Sequence, residues 1–228
     1  MTTATNTPGV RYAVDLVMCI DGTGSMFPII EEVKASALSF YDKLEAKMAE
    51  KNKRIDQLRA KVIVFRDYWA DPAEKVMVCS NFLNLRTQAS DFAAFISEIV
   101  AEGGGDEPEN GLEALGLALT SNWEKAQDFA KQRYVILMWT DASAHSLDKG
   151  LKPSHYPQEI PQTFDELTDY WSEIPKSAKR LILYAPDTNP WSVIGCSWDN
   201  AIHFPSKGGS GLEEFEFSEI LDAIASSV

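Results

Sequence analysis

Residues 14–20 form a largely apolar, partly β-branched run (Val14, Leu16, Val17, Met18, Ile20) that stops abruptly at Asp21-Gly22-Thr23-Gly24-Ser25. An apolar run of this length bounded by a turn reads as a buried strand. A buried strand needs neighbours on either side and cover above and below, which narrows the fold to a layered arrangement. The end of the run is as constraining as its body. One carboxylate and two hydroxyls are separated by glycines that let the backbone turn tightly, so Asp21, Thr23 and Ser25 can face one point. Oxygen donors converging at the carboxyl end of a strand suit a hard cation, and Mg²⁺ favours such ligands.

The elements that follow alternate between strand and helix. Ile30, Val33, Ala37, Phe40, Tyr41, Leu44 and Met48 recur at helical spacing, with acidic residues early and lysines late, and predict one long amphipathic helix. Residues 58–69 carry a second strand, with Val62, Ile63, Val64 and Phe65 as its apolar body. After the Asp71-Pro72 turn, residues 76–85 carry a third strand, close enough to pair antiparallel with the second. Residues 89–102 read as a helix stopped by Gly103-Gly104-Gly105. Another helix is expected from about Glu109 to Trp123, with Pro108 suited to its first turn. A continuous apolar strand ends at Thr140-Asp141, and residues 144–161 look irregular. A short helix at 164–174, a strand at 179–185, a helix near 191–196, a strand at 201–204 and a closing helix complete the chain. The pattern predicts an α/β fold: a doubly wound, mostly parallel sheet with one antiparallel edge strand and helices on both faces. Residues 1–10 are expected as a flexible tail and 11–228 as a single domain. Asp21 and Asp141 would both reach the carboxyl end of the sheet, where ligands of such folds bind.

Charge excludes some functions. The chain has 34 acidic and 21 basic residues and a formal net charge of −13, so phosphate backbones and anionic lipid should be repelled. Three widely spaced cysteines (Cys19, Cys79, Cys196), three histidines and no CxxC pair argue against zinc. No apolar stretch is long enough to span a membrane and no secretory leader opens the sequence, which predicts a reducing, cytoplasmic setting.

DGTGS at 21–25 resembles the DxSxS signature of the von Willebrand factor A (VWA) domain, with Thr23 in place of the first serine. TDAS at 140–143 resembles the family's later strand ending in TD. GGGDEPENGLEAL at 103–115 is similar to a variant middle loop found in integrin β inserted domains and in some bacterial and kinase-associated members. The three occur in family order and cover nearly the whole chain, which resembles a stand-alone bacterial-type member. The resemblance implies a Rossmann-like fold and a metal-ion-dependent adhesion site (MIDAS), with Asp21, Thr23 and Ser25 as first-loop ligands and Asp141 completing the cluster through water. The family's usual middle-loop threonine is not evident. Asp106, and next to it Glu109, are the oxygen donors on offer, direct or through water. Three carboxylates around a divalent ion would bind metal well, accept Ca²⁺ as well as Mg²⁺ or Mn²⁺, and hold an acidic ligand less tightly than a site with a neutral threonine.

Other residues admit two readings each. Asp67 is a group supporting the same site, or it makes a salt bridge to Arg66 or a turn contact. His145 lines the site or lies on the surface, and is left out of the ligand set. Tyr156, Trp171 and Trp191 form a patch facing a partner, or staple long loops to the body.

The resemblance implies a non-catalytic module that binds an acidic group of a partner protein, in systems that also contain kinases, phosphatases or ATPases. An enzyme resembling haloacid dehalogenases is the rival. That chemistry needs an aspartate nucleophile at position 19, where Cys19 stands. A third reading is a scaffold with a purely structural metal.

Overall fold

The computed structural model describes residues 10–104, 107–125 and 131–228. β1 (Val10–Asp21) lies inside a seven-stranded sheet of order β3-β2-β1-β5-β6-β7, with β4 also paired to β2. β2 (Lys53–Phe65) and β5 (Lys131–Trp139) flank β1 in parallel, and β6 (Lys179–Pro186) and β7 (Ala201–Ser206) continue the parallel run. From Tyr12 onward every residue of β1 is buried. The charged residue within it, Asp15, is held by the Arg59 fork, Nε and Nη2 donating at 2.8 and 2.6 Å. A bidentate pair of this kind makes the burial of a carboxylate tolerable.

Alternation along β1 sends side chains to two cores. Leu16, Met18 and Ile20 face one layer with α1 (Phe27–Ser36), α2 (Phe40–Glu50), α4 (Ala89–Ser97) and α8 (Phe217–Ser227). Val17 and Cys19 face the other, with α5 (Gly111–Leu119), α6 (Phe164–Glu173) and α7 (Trp191–Ser197). Both faces of the sheet are therefore covered, as the sequence pattern predicts. α3 (Ala73–Val76) lies between β2 and β3.

Three elements differ from expectation. The long first helix is broken by a 3-10 turn at Ala37–Ser39. There Ser39 Oγ donates to the carbonyl of Ser36 and Lys43 Nζ donates to Ser36 Oγ, polar contacts that compete with the helical ladder. The antiparallel edge is split into β3 (Met77–Cys79) and β4 (Leu83–Asn84). Between them Ser80 Oγ accepts from Val62 N in place of a backbone carbonyl, and the chain leaves the ladder. α4 stops at Ser97, well before the glycines, because the carbonyls of Val100 and Glu102 turn to the guanidinium of Arg66 (2.5 and 2.9 Å). Residues 98–104 thus become an arm laid against the end of β1, with Glu102 N donating to Gly22 O and Gly24 N to Gly103 O.

Candidate metal centre

Asp21, fully buried at the end of β1, is surrounded by donors. Its Oδ1 accepts from the backbone N (3.0 Å) and Oγ1 (2.7 Å) of Thr23, and its Oδ2 accepts from Thr140 Oγ1 (2.7 Å). Thr23 Oγ1 lies 3.4 Å from Ser25 Oγ, which donates to Asp141 Oδ1 at 3.0 Å. Asp21, Thr23, Ser25 and Asp141 therefore form one continuous polar cluster. Ser25 sits within a 3-10 turn (Gly24–Met26) and does not cap α1, whose first turn has no side-chain cap.

The middle loop reaches the same place. Gly104 has φ +70°, and a Cβ there would fall 2.6 Å from Thr23 Cβ and 3.0 Å from Glu109 Oε1. Its bare backbone is thus pressed between the threonine and the glutamate, in a conformation that glycine alone adopts at little cost. Glu109 is buried and bridges to the strip after Asp141: its N donates to Ser143 O, and its O accepts from His145 N. Asp106 lies outside the described residues.

A third loop, which the sequence reading passed over, closes the cluster. Gly211 N donates to Asp141 Oδ2 at 2.7 Å and Gly209 N to Asp141 O at 3.0 Å. At φ +60°, a Cβ on Gly211 would meet Ser25 O at 2.1 Å. The signal was present as the three glycines of Gly208-Gly209-Ser210-Gly211, which carry no ligating side chain and so fit no metal motif.

Electrostatics sharpen the picture. Burial pushes the Asp21 carboxyl up to about 6, and the Asp141 charge adds to the rise, against the hydrogen bonds from Thr23 and Thr140. Among the described residues neither Asp21 nor Asp141 has a Lys or Arg partner within ion-pair distance. Two buried carboxylates knitted to the three hydroxyls of Thr23, Ser25 and Thr140 fit a hard divalent cation held by oxygen. Among the described residues no group of three or more His, Cys, Asp or Glu side chains is placed to hold a metal, so such a site would depend on its hydroxyls.

Comparison with known proteins decides the family. The sequence description "von Willebrand factor A domain" matches residues 15–152, which include the strand ends at Asp21 and Asp141. The chain belongs to the von Willebrand factor A domain family. It is 30% identical over 159 residues to the alpha-protein kinase vwkA of Dictyostelium discoideum, covering 68% of this chain and 23% of that kinase. The chain thus spans about a quarter of the length of that relative. The pilus adhesin SpaC of Lactobacillus rhamnosus GG superposes in two crystal structures with a TM-score of 0.53 in each, at 11% and 12% identity. Each superposition covers 94% of this chain and 30% of the adhesin, a likeness of fold.

The remaining sequence readings resolve within this VWA domain. Asp67 makes the expected turn contact, and among the described residues no ion pair to Arg66 accompanies it. Its Oδ1 accepts from Trp69 N at 2.8 Å and lies 3.2 Å from His145 Nε2. His145 is buried at 8% exposure rather than on the surface, with Trp69 edge-on against it. Arg66, itself buried, donates to the carbonyls of Lys75, Val100 and Glu102 and so fixes the arm beside Gly22. Tyr156, Trp171 and Trp191 are all buried and staple the loops, with Trp191 Nε1 donating to Ala142 O. Cys19, Cys79 and Cys196 are free thiols. Among the described residues no helix is long and apolar enough to cross a membrane.

Proposed function

We propose that this VWA domain is a non-catalytic protein-interaction module in which Asp21, Thr23, Ser25 and Asp141, with Glu109 and Asp106 from the middle loop, hold Mg²⁺, or Ca²⁺ or Mn²⁺ in its place. The observation that carries the reading is the polar cluster joining Ser25, on the first loop, to Asp141, at the end of β5. A bound divalent cation would present a coordination position to a carboxylate of a partner protein. The chain's own residues prepare that position. Gly211 N and Thr140 Oγ1 fix the two aspartates, and Gly104 sets the middle loop against Thr23. Ser25 is the exposed member of the cluster, so the surface that a partner would meet opens there. The partner is an acidic surface of a protein in the same system, such as a kinase, phosphatase or ATPase, in the reducing cytoplasm that the three free thiols suit.

Catalysis is disfavoured by the residues themselves. Cys19 is buried, donates to Ala114 O, and burial raises its thiol far above the reactive range. No carboxylate stands where an aspartyl nucleophile would.

Calorimetric titration of Mg²⁺, Ca²⁺ and Mn²⁺ into metal-stripped protein, beside Asp21→Ala, tests the reading. Saturable binding to folded wild-type protein that is lost in the folded variant supports it. Absence of binding to well-folded wild-type protein overturns the metal-bridged mechanism and leaves the fold assignment intact.

A further inference from the structure

The amino ends of the parallel strands collect positive charge in an otherwise acidic chain. Lys53 starts β2, Lys131 and Arg133 start β5, and Arg180 stands at the start of β6. Lys53, Lys131 and Arg133 surround the buried Tyr12 ring, 5.9, 5.7 and 5.1 Å from its centroid. Among the described residues none of these four cations has an Asp or Glu side chain within ion-pair distance, although Arg11, Lys51 and Arg54 nearby are all paired with one.

Part of this charge has a structural use. Lys53 Nζ donates to Ala225 O, Arg133 Nε to Val228 O and Arg180 Nε to Ser227 O, so the cations latch the last carbonyls of α8. That use does not exhaust them. Arg133 and Arg180 make these and their other backbone contacts through Nε and Nη1, and among the described residues neither Nη2 has an acceptor. Lys131 and Ser177 are exposed. Lys131, Arg133, Ser177 and Arg180 line a recess of about 470 Å³.

We propose that this recess is a binding site for a phosphoryl group. Three cations and a hydroxyl around one hollow overmatch a single carboxylate. A phosphoryl dianion brings about −1.5 to −2 charges and three acceptor oxygens, enough for two Arg Nη2 groups, a lysine and a serine. The pull of Lys53 below its usual value, by burial and then by Arg133, Lys51, Arg180 and Lys131, agrees with cations gathered at this end. The site is at the opposite end of the sheet from Asp21, so it stands or falls independently of the metal reading.

The test is titration calorimetry of the full, metal-stripped chain with inorganic phosphate at constant ionic strength, with acetate as control. Saturable phosphate binding is expected, weakened about fivefold to tenfold in Lys131→Gln at an unchanged melting temperature. Arg180→Lys, which keeps the charge and loses the fork, should weaken it further. A phosphoserine peptide that binds more tightly than free phosphate identifies a modified protein as the source; tighter free phosphate identifies the small anion. Absence of saturable binding, equal binding of acetate, or affinity unchanged in both variants overturns the proposal.

Discussion

The two ends of the sheet solve opposite electrostatic problems with the same material. At the carboxyl end, Asp21 and Asp141 are held by hydroxyls and by the backbone N–H groups of Thr23 and Gly211. At the amino end, Lys53, Arg133 and Arg180 are held by the backbone carbonyls that α8 leaves exposed. In each case main-chain groups help to hold charges that have no oppositely charged side chain beside them among the described residues. The lesson is that a net charge of −13 conceals a sorted molecule, anionic where strands end and cationic where they begin.

The comparison can be broken most directly at the carboxyl end. Asp21→Ala removes the acceptor that binds Thr23 and Thr140, and should abolish divalent-ion binding in calorimetry while circular dichroism remains native. Gly211→Ala should do nearly as much without touching a ligand. A Cβ 2.1 Å from Ser25 O forces the third loop away from Asp141, and we expect at least a tenfold loss of metal affinity with a destabilisation of about 1–3 kcal/mol, read by calorimetry and denaturant titration.

Arg66→Ala should cost about 2–4 kcal/mol in the same titration, because three carbonyls of the arm and its neighbours lose a buried charged donor. Arg66→Lys should recover part of that loss. At the amino end, Arg133→Met should free the end of α8. Amide exchange near residues 225–228 should quicken, with a loss of about 1–2 kcal/mol and metal affinity unchanged. Equal effects of Arg133→Met at both ends would erase the distinction drawn between them.

The smallest effect concerns pH. Burial raises the Glu113 carboxyl, against hydrogen bonds from Asn110 and Tyr156. A carboxyl with a folded-state pKa above its unfolded value binds its proton more tightly in the native state. Stability therefore falls as pH rises from the ordinary carboxylate range through the raised value. Glu113→Gln should flatten the melting-temperature profile above the ordinary carboxylate range and equal or exceed wild type at the alkaline end.

Much of this was legible in the sequence because apolar strand runs and their abrupt ends are local features. The strands ending at Asp21 and Asp141 and their convergence follow from parallel pairing alone. What escaped was non-local. The break at Ala37–Ser39 and the early stop of α4 depend on hydroxyl and guanidinium contacts that leave no periodic trace. The closure by Gly209 and Gly211 uses backbone N–H groups that every residue but proline owns, so only their positive φ values distinguish them. His145 looked like a surface residue because nothing nearby in sequence announces Asp67 and Trp69 as its neighbours. The metal-ligand assignment rests on the family resemblance together with the cluster's geometry, and Asp106 lies outside the described residues.

The closure at Gly211 has a consequence for how the molecule is made. Ser25 and Asp141 are 116 residues apart in the chain, and Asp141 and Gly211 a further 70. Loop closures of that span come late in folding, since they wait on the sheet that aligns their ends. A ribosome that has delivered both aspartates, but not yet Gly211, holds a chain with the acidic residues in hand and no finished pocket for a cation. On the proposed function, ion binding would therefore wait until Gly211 has closed over Asp141.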